Sequence, residues 1–282
     1  MAIIFALCCL GCSAVNDFIF KLFADRPMSR GVFFSIIGVI LSLLMVFAVD
    51  FKAAEANLTN TLIWGCAAGF FSIVGNVLLI EAMEKLSAGI CSTIYRLNLI
   101  FVVPGAMLFF GERLTPMQLA GVTAAVLAIV LFSFSAMSGD KKSSVTGMVL
   151  IVTASLLRAG MGLSYKQSFL CGVEEPALVF INGLFWAVGG LIYALLKDGK
   201  IKCPDAPTVG FSTISGLFVS GIVFFMAKSL QAGAAGVVLS IAQMSFLGTL
   251  LLSVIFLKEK LEKFKIAGIA CGITAILFLA LK

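Results

Sequence analysis

The sequence predicts an all-α integral membrane protein, with about ten transmembrane helices in two inverted five-helix repeats. Three observations support this fold class. Hydrophobic residues make up 61% of the 282 residues, charged residues only 12%, and the mean hydropathy is +1.14. Apolar stretches long enough to cross a bilayer follow one another along the chain. The sequence around Glu112 also returns around Glu259, at a constant offset of 147 residues, which indicates an internal duplication.

The predicted spans have the length that crosses a hydrocarbon layer, roughly 18–25 residues for about 30 Å. They cover residues 2–23, 31–49, 60–82, 87–110, 116–137, 146–170, 176–196, 208–230, 234–257 and 264–281. The longest polar breaks, Ser138–Ser144 and Lys197–Pro207, are too short to contain a separate core. We therefore expect two repeats, at residues 1–137 and 146–282, and no soluble domain.

Basic residues mark the breaks that end the spans. In the first repeat the breaks carry, in order, Arg26 and Arg30, Lys52, Lys85, Arg113, and Lys141 with Lys142. In the second repeat the breaks after the seventh and ninth spans carry Lys197, Lys200, Lys202, Lys258, Lys260, Lys263 and Lys265. Most of these residues follow odd-numbered spans, so the positive-inside rule predicts that both termini lie outside.

The odd number of spans in each half sets the relation between the repeats. With five spans per half, the second repeat must enter the bilayer upside down relative to the first. Secondary transporters use this inverted construction to build one central path from two related faces. An inverted repeat suits alternating access rather than a continuous pore, which disfavours a channel.

A motif at the end of the fourth span resembles a known family signature. Gly111–Thr115, which reads Gly-Glu-Arg-Leu-Thr, is preceded by Pro104 and followed by Gln118–Gly121. It resembles the EamA-type signature of the drug/metabolite transporter superfamily, and Lys258–Leu261 resembles a second, divergent copy. The resemblance implies ten helices in two inverted halves, a central substrate cavity, and a multi-pass protein of the plasma (inner) membrane with both termini in the cytoplasm. Because the charge pattern predicts the opposite orientation, the orientation stays open.

Composition excludes several other classes. The chain has no histidine, and its eight cysteines lie mostly in apolar spans, so neither a metal site nor a bound cofactor is expected. It has no Gly-x-Ser-x-Gly motif, no P-loop and no close pair of deep carboxylates, so we do not expect an enzyme. The net charge of +6 comes mainly from residues that flank spans, which argues against nucleic acid. The expected partners are a small-molecule substrate and the lipid bilayer.

Two arginines are the strongest candidates for substrate binding. Arg96 and Arg158 lie near the middle of the fourth and sixth spans, where a charged side chain is costly unless it faces a cavity or a partner. Thr93 lies on the same helical face as Arg96, and the second copy places Ser240 and Gln243 at corresponding positions. The alternative for Arg96 is a structural role, either in an ion pair with Glu81 or Asp17 or in hydrogen bonds to exposed backbone.

Other polar residues could reach the same space. We include Lys21, Asn76 and Lys166 among the substrate-binding candidates and Asp17 as a coupling candidate. Asp17 and Lys21 are four residues apart and could neutralise each other. The deep basic residues Arg96, Arg158, Lys21 and Lys166 outnumber the deep acidic residues Asp17 and Glu81. A cavity built from them would prefer an anion.

The sequence therefore predicts a secondary transporter that moves a small organic anion or a zwitterionic metabolite. The alternative is proton-coupled efflux of cationic or lipophilic drugs, in which Asp17 would be the coupling carboxylate. Glu112 and Glu259 lie at span ends, so we interpret them as structural, either capping the next helix or pairing locally. Small-residue pairs such as Gly121 with Ala125 predict close helix packing inside the chain, with a homodimer as the alternative.

Overall fold

The computed structural model describes residues 1–23, 29–86, 91, 94–137, 144–201, 203–257 and 263–281, which form helices joined by turns. We number the helices in chain order. They are α1 (Ala2–Phe23), α2 (Arg30–Val46), α3 (Phe51–Ala56), α4 (Leu58–Lys85), α5 (Leu99–Phe110), α6 (Pro116–Met137), α7 (Val145–Leu170), α8 (Glu175–Asp198), α9 (Ala206–Ala232), α10 (Ala235–Ala242), α11 (Ser245–Leu257) and α12 (Lys263–Ala280).

Local sequence explains where many of these helices begin and end. Ser144 caps α7 by accepting a hydrogen bond from the Gly147 amide at 3.2 Å, and Asp205 caps α9 in the same way through the Thr208 amide at 3.1 Å. The α5 and α8 helices end at Gly111 and Gly199, whose φ values of 62° and 69° favour glycine.

The lengths of the helices agree with a protein that crosses the membrane many times. Within the described residues, six helical segments are long and apolar enough to span a bilayer, and one of them, Ala235–Phe256, comprises α10 and α11. Four shorter apolar helices, Arg30–Val46, Ile94–Phe110, Pro116–Leu131 and Ile266–Ala280, correspond to the remaining predicted spans. The fold is thus all-helical and multi-pass, and the number of ten spans stays a prediction.

The helices pair in a pattern that follows the duplication. The first-copy spans α1, α2, α4, the span ending in α5, and α6 correspond to α7, α8, α9, the α10–α11 segment, and α12. Corresponding helices contact each other in the pairs α2–α8, α5–α10 and α6–α12. The contact of α4 with α7 is likewise matched by that of α9 with α1. These reciprocal contacts are those expected for two repeats related by a twofold axis.

Glycines allow the closest of these crossings. Gly31 and Gly38 of α2 face Gly183 and Gly190 of α8, backbone against backbone. A Cβ atom built on Gly31 would lie 2.5 Å from the Ala194 nitrogen, and one on Gly190 would lie 2.5 Å from the Ser35 nitrogen. Gly121 also packs inside the chain, since its Cβ position would lie 2.9 Å from the Leu279 side chain of α12.

Side-chain contacts define the two ends of the bundle. At the first end, which we call the terminal face, Asn57 donates to the Cys171 carbonyl at 2.8 Å and Glu174 accepts from the Asp50 amide at 2.9 Å. The opposite face has a charged network in which Lys197 lies 2.9 Å from both Glu81 and Glu84. The candidate site lies between these two ends.

Candidate functional site

The fourth span of each repeat is interrupted. In the second repeat, Gln243 and Met244 form a turn between α10 and α11. In the first repeat, Leu97 and Asn98 form a turn between the helical residues 94–96 and α5. The two breaks fall at nearly the same position in each copy. In transporters with inverted repeats, discontinuous helices of this kind form the binding site for substrate or coupling ion, because their ends present free backbone groups.

Arg96 joins the two breaks. Its Nη1 atom donates to the Gln243 carbonyl oxygen at 3.1 Å and to the Ser245 hydroxyl at 2.7 Å. Gln243 is the counterpart of Arg96 at the offset of 147 residues, so the arginine contacts its own equivalent across the repeat interface. Its guanidinium therefore stabilises a carbonyl near the helix break of the other copy.

Asp17 completes this cluster from α1. The Arg96 Nη2 atom lies 2.6 Å from the Asp17 Oδ2 atom, which also accepts a hydrogen bond from Ser245 at 3.3 Å. The side chains of Arg96 and Asp17 retain 18% and 34% of their exposure. The contact is made through one carboxylate oxygen, so it is a single charge-assisted bond rather than a bidentate pair.

Arg158 lies on α7 and has a different environment. Its guanidinium carbon lies 4.9 Å from the centre of the Tyr95 ring, and Nη1 donates to the Tyr95 hydroxyl at 3.4 Å. Its Nε atom is buried and lacks a hydrogen-bond partner in the described part of the chain. No carboxylate among the described residues forms an ion pair with Arg158. Arg158 is therefore a deep cation that forms no direct ion pair there, and the Asp17 carboxylate acts on it only as a more distant charge.

The other predicted site residues have different positions. Gln243 contributes its backbone carbonyl, while the buried Ser240 hydroxyl donates to the Gly236 carbonyl of its own helix at 2.6 Å. Asn76 likewise donates to the Ser72 carbonyl within α4 at 2.8 Å. Lys166 contacts the end of α9, through the carbonyl oxygens of Leu230 at 3.0 Å and Gly233 at 2.6 Å. The side chains of Ser240, Asn76 and Lys166 thus donate hydrogen bonds to backbone carbonyls of the helices.

The structure does not describe the side chains of two predicted site residues. Thr93 and the side chain of Lys21 lie outside the described residues. Ser245, in contrast, is a member of the cluster that the sequence reasoning missed. The signal was available, because Ser245 lies two residues after Gln243, as Asn98 lies two residues after Arg96. Within the described residues, no three histidine, cysteine or acidic side chains come together as ligands for a metal.

A separate apolar groove lies between α4 and α8. It has a volume of about 510 Å³ and is lined by residues such as Phe70, Val77 and Val188, with Tyr193 near one end. Phe70 and Val188 are about half exposed, as expected for side chains that face lipid. Because its lining is almost entirely apolar, the groove has no charged group with which to bind a polar solute. The residues around Arg96 and Arg158, which we call the arginine cluster, remain the candidate site.

Comparison with known proteins identifies the family. The model of the EamA-like transporter family matches residues 1–134 and again residues 145–281. The chain belongs to the EamA-like transporter family. This family is part of the drug/metabolite transporter superfamily and is a family of membrane transporters, and its model matches each repeat of this chain once. The EamA-like chain is therefore a multi-pass membrane protein of a transporter family.

Relatives of this EamA-like chain include two uncharacterized proteins. One, from Haemophilus influenzae, is 23% identical over 276 residues, covering 94% of this chain and 93% of the relative. The other, from Methanocaldococcus jannaschii, is 25% identical over 122 residues, which are 43% of this chain and 88% of the relative. The match to the second relative is therefore about as long as one repeat.

A solved crystal structure has the same fold. It superimposes on this chain with a TM-score of 0.82 at 12% sequence identity, covering 99% of this chain and 96% of that chain. At this identity the likeness concerns the fold alone, and the site must be interpreted from the residues present here.

Proposed function

We propose that this EamA-like protein is a secondary transporter of a small organic anion or zwitterionic metabolite, located in the plasma (inner) membrane. The observation that carries the proposal is the contrast between the two deep arginines. Arg96 forms an ion pair with Asp17, whereas Arg158 forms no direct ion pair among the described residues and has a buried Nε atom without an acceptor there. A deep guanidinium in this state attracts a carboxylate or phosphate group, which it can bind through two parallel hydrogen bonds.

The rest of the cluster supports the same substrate class. The Tyr95 ring covers one side of the Arg158 guanidinium and its hydroxyl accepts from it, which leaves the remaining N–H donors for a ligand. The Asp17 oxygen that does not contact Arg96 could accept hydrogen bonds from the ammonium group of a zwitterion. Efflux of cationic drugs, the alternative, requires Asp17 as a free carboxylate, and its 2.6 Å contact with Arg96 weighs against that role.

Uptake into proteoliposomes tests the proposal. The probes are labelled glutamate, alanine, phosphate and tetraphenylphosphonium, compared between the parent protein, Arg158→Gln and Arg158→Lys. We expect flux of at least one anionic or zwitterionic probe, a loss of at least about tenfold in Arg158→Gln, and partial retention in Arg158→Lys. The matched control is Arg30→Gln, which removes an arginine at the opposite face. Transport of tetraphenylphosphonium alone, unaffected by Arg158→Gln, would overturn the proposal.

A further inference from the structure

The Gly-Glu-Arg motif of the first repeat has a contact that substrate binding does not explain. Glu112 follows α5 in the first repeat, yet its carboxylate binds the second repeat. Oε1 accepts from the Ala235 amide at 2.7 Å and Oε2 accepts from the Gly236 amide at 3.1 Å. These are the first residues of α10, where free N–H groups and the helix dipole favour a negative charge.

A second charged residue binds the same corner of the chain. Lys166 of α7 donates to the carbonyl oxygens of Leu230 and Gly233, at the end of α9. The segment 230–236 is thus held by a carboxylate on its N–H groups and by an ammonium group on its C=O groups. The two side chains come from different repeats, and we call them together the clasp.

Helix α10, whose first residues the clasp holds, lies between the candidate site and the terminal face. Residues Ala235–Ile241 are all buried, and α10 contacts α1, α5, α6, α7, α9 and α12. The N-terminus of α10 meets Glu112, and its C-terminus leads into Gln243 at the arginine cluster. Eight residues at 1.5 Å each make α10 about 12 Å long. The helix therefore extends from Glu112 at one end to the arginine cluster at the other.

We propose that the clasp of Glu112 and Lys166 is a latch that keeps the terminal face closed by holding α10 over the candidate site. Opening of this face requires the clasp to release, which frees the 230–236 corner and lets α10 move. This inference rests on the proposed transport function for its purpose, but the closure itself is measured without any substrate. It also gives the Gly-Glu-Arg motif of the first repeat a role across the repeat interface.

The experiment measures the accessibility of α10 directly. A cysteine is introduced as Val238→Cys, since Val238 is 1% exposed, and its rate of modification by N-ethylmaleimide is followed in purified protein. Mass spectrometry of the peptide that contains residue 238 separates this signal from the eight native cysteines. The variants Glu112→Gln and Lys166→Gln are each combined with Val238→Cys.

We expect each clasp variant to increase the modification rate at residue 238 by about threefold to thirtyfold, which is the range for losing a helix-capping group. The matched control is Glu174→Gln, because Glu174 accepts a backbone amide at 2.9 Å at the same face, and that amide belongs to Asp50 and not to α10. That control is expected to leave the rate at residue 238 unchanged.

Three results would overturn the latch. The first is an unchanged modification rate at residue 238 in Glu112→Gln. The second is an equal increase of that rate in the control Glu174→Gln. Equal increases at the native buried Cys9 and Cys91 in the clasp variants would show general loosening instead of a local release. Because no transport is measured, a failed latch and a failed transport proposal would be separate results.

Discussion

The two copies of the interrupted span share a backbone plan but differ in charge. Both contain a helix break at nearly equivalent positions, around Leu97 and around Met244. Only the first copy places an arginine at the break, and that arginine donates to the carbonyl of its counterpart, Gln243. The duplication thus built a symmetric framework, and a single charged side chain near the centre made the site asymmetric.

The copies of the second span show the opposite behaviour. In α2 and α8 both repeats use glycines at the crossing, so the contact is equivalent from either side. Where the copies share small residues they form the framework, and where they differ in charge they form the candidate site.

The largest expected effect comes from removing the arginine at the first break. Arg96→Gln leaves Asp17 without its counter-ion and the Gln243 carbonyl without its donor. We expect a loss of roughly 2–3 kcal/mol in stability, below the value for fully buried pairs because both side chains remain partly exposed. Thermal unfolding in detergent measures this loss.

The double variant Arg96→Gln with Asp17→Asn sharpens this prediction. It removes both charges together and should recover about half of the lost stability. Arg30→Gln is the control, since the Arg30–Glu84 pair is exposed at 48% and 39% and should contribute less than about 1 kcal/mol. No recovery in the double variant would mean that the carbonyl of Gln243, rather than Asp17, accounts for the loss.

The next effect concerns the symmetric crossing. Gly31→Ala and Gly190→Ala each place a methyl group 2.5 Å from a backbone nitrogen and 2.6 Å from a carbonyl oxygen of the other helix. We expect both to lower stability by a similar amount, about 1–3 kcal/mol. Gly210→Ala in α9 is the control, because nothing lies within 4 Å of its Cβ position. Unequal effects at Gly31 and Gly190 would contradict the equivalence of the two copies.

The smallest expected effect tests the residues after the breaks. Ser245→Ala removes hydrogen bonds to Arg96 and Asp17 and should cost about 1.5 kcal/mol, as for bonds to charged groups. Asn98→Ala at the equivalent position should cost less, because the buried Asn98 Oδ1 atom has no hydrogen-bond partner in the described residues. The same melting measurement compares them, and a larger loss for Asn98→Ala would contradict the asymmetry.

Several features of this protein followed from the sequence. Hydropathy predicted the positions of the helices, the offset of 147 residues predicted the duplication, and the Gly-Glu-Arg motif with its surroundings predicted the family. These features are readable because each depends on local composition or on similarity between two segments. Glu112 does cap a helix, but that helix is α10 of the other repeat and not, as the sequence predicted, the next helix in the chain.

The partners of the charged residues depended on the tertiary structure. Asp17 and Glu81 were equal alternatives for Arg96, and only the packing of the helices decided for Asp17, while Glu81 binds Tyr193 and Lys197. The helix breaks near Leu97 and Met244 occur inside apolar sequence that predicts continuous spans. Arg96 and Ser245 are 149 residues apart and Glu112 and Ala235 are 123 apart. The sequence shows which residues are polar, but contacts between residues so far apart in the chain form only when the two repeats pack together.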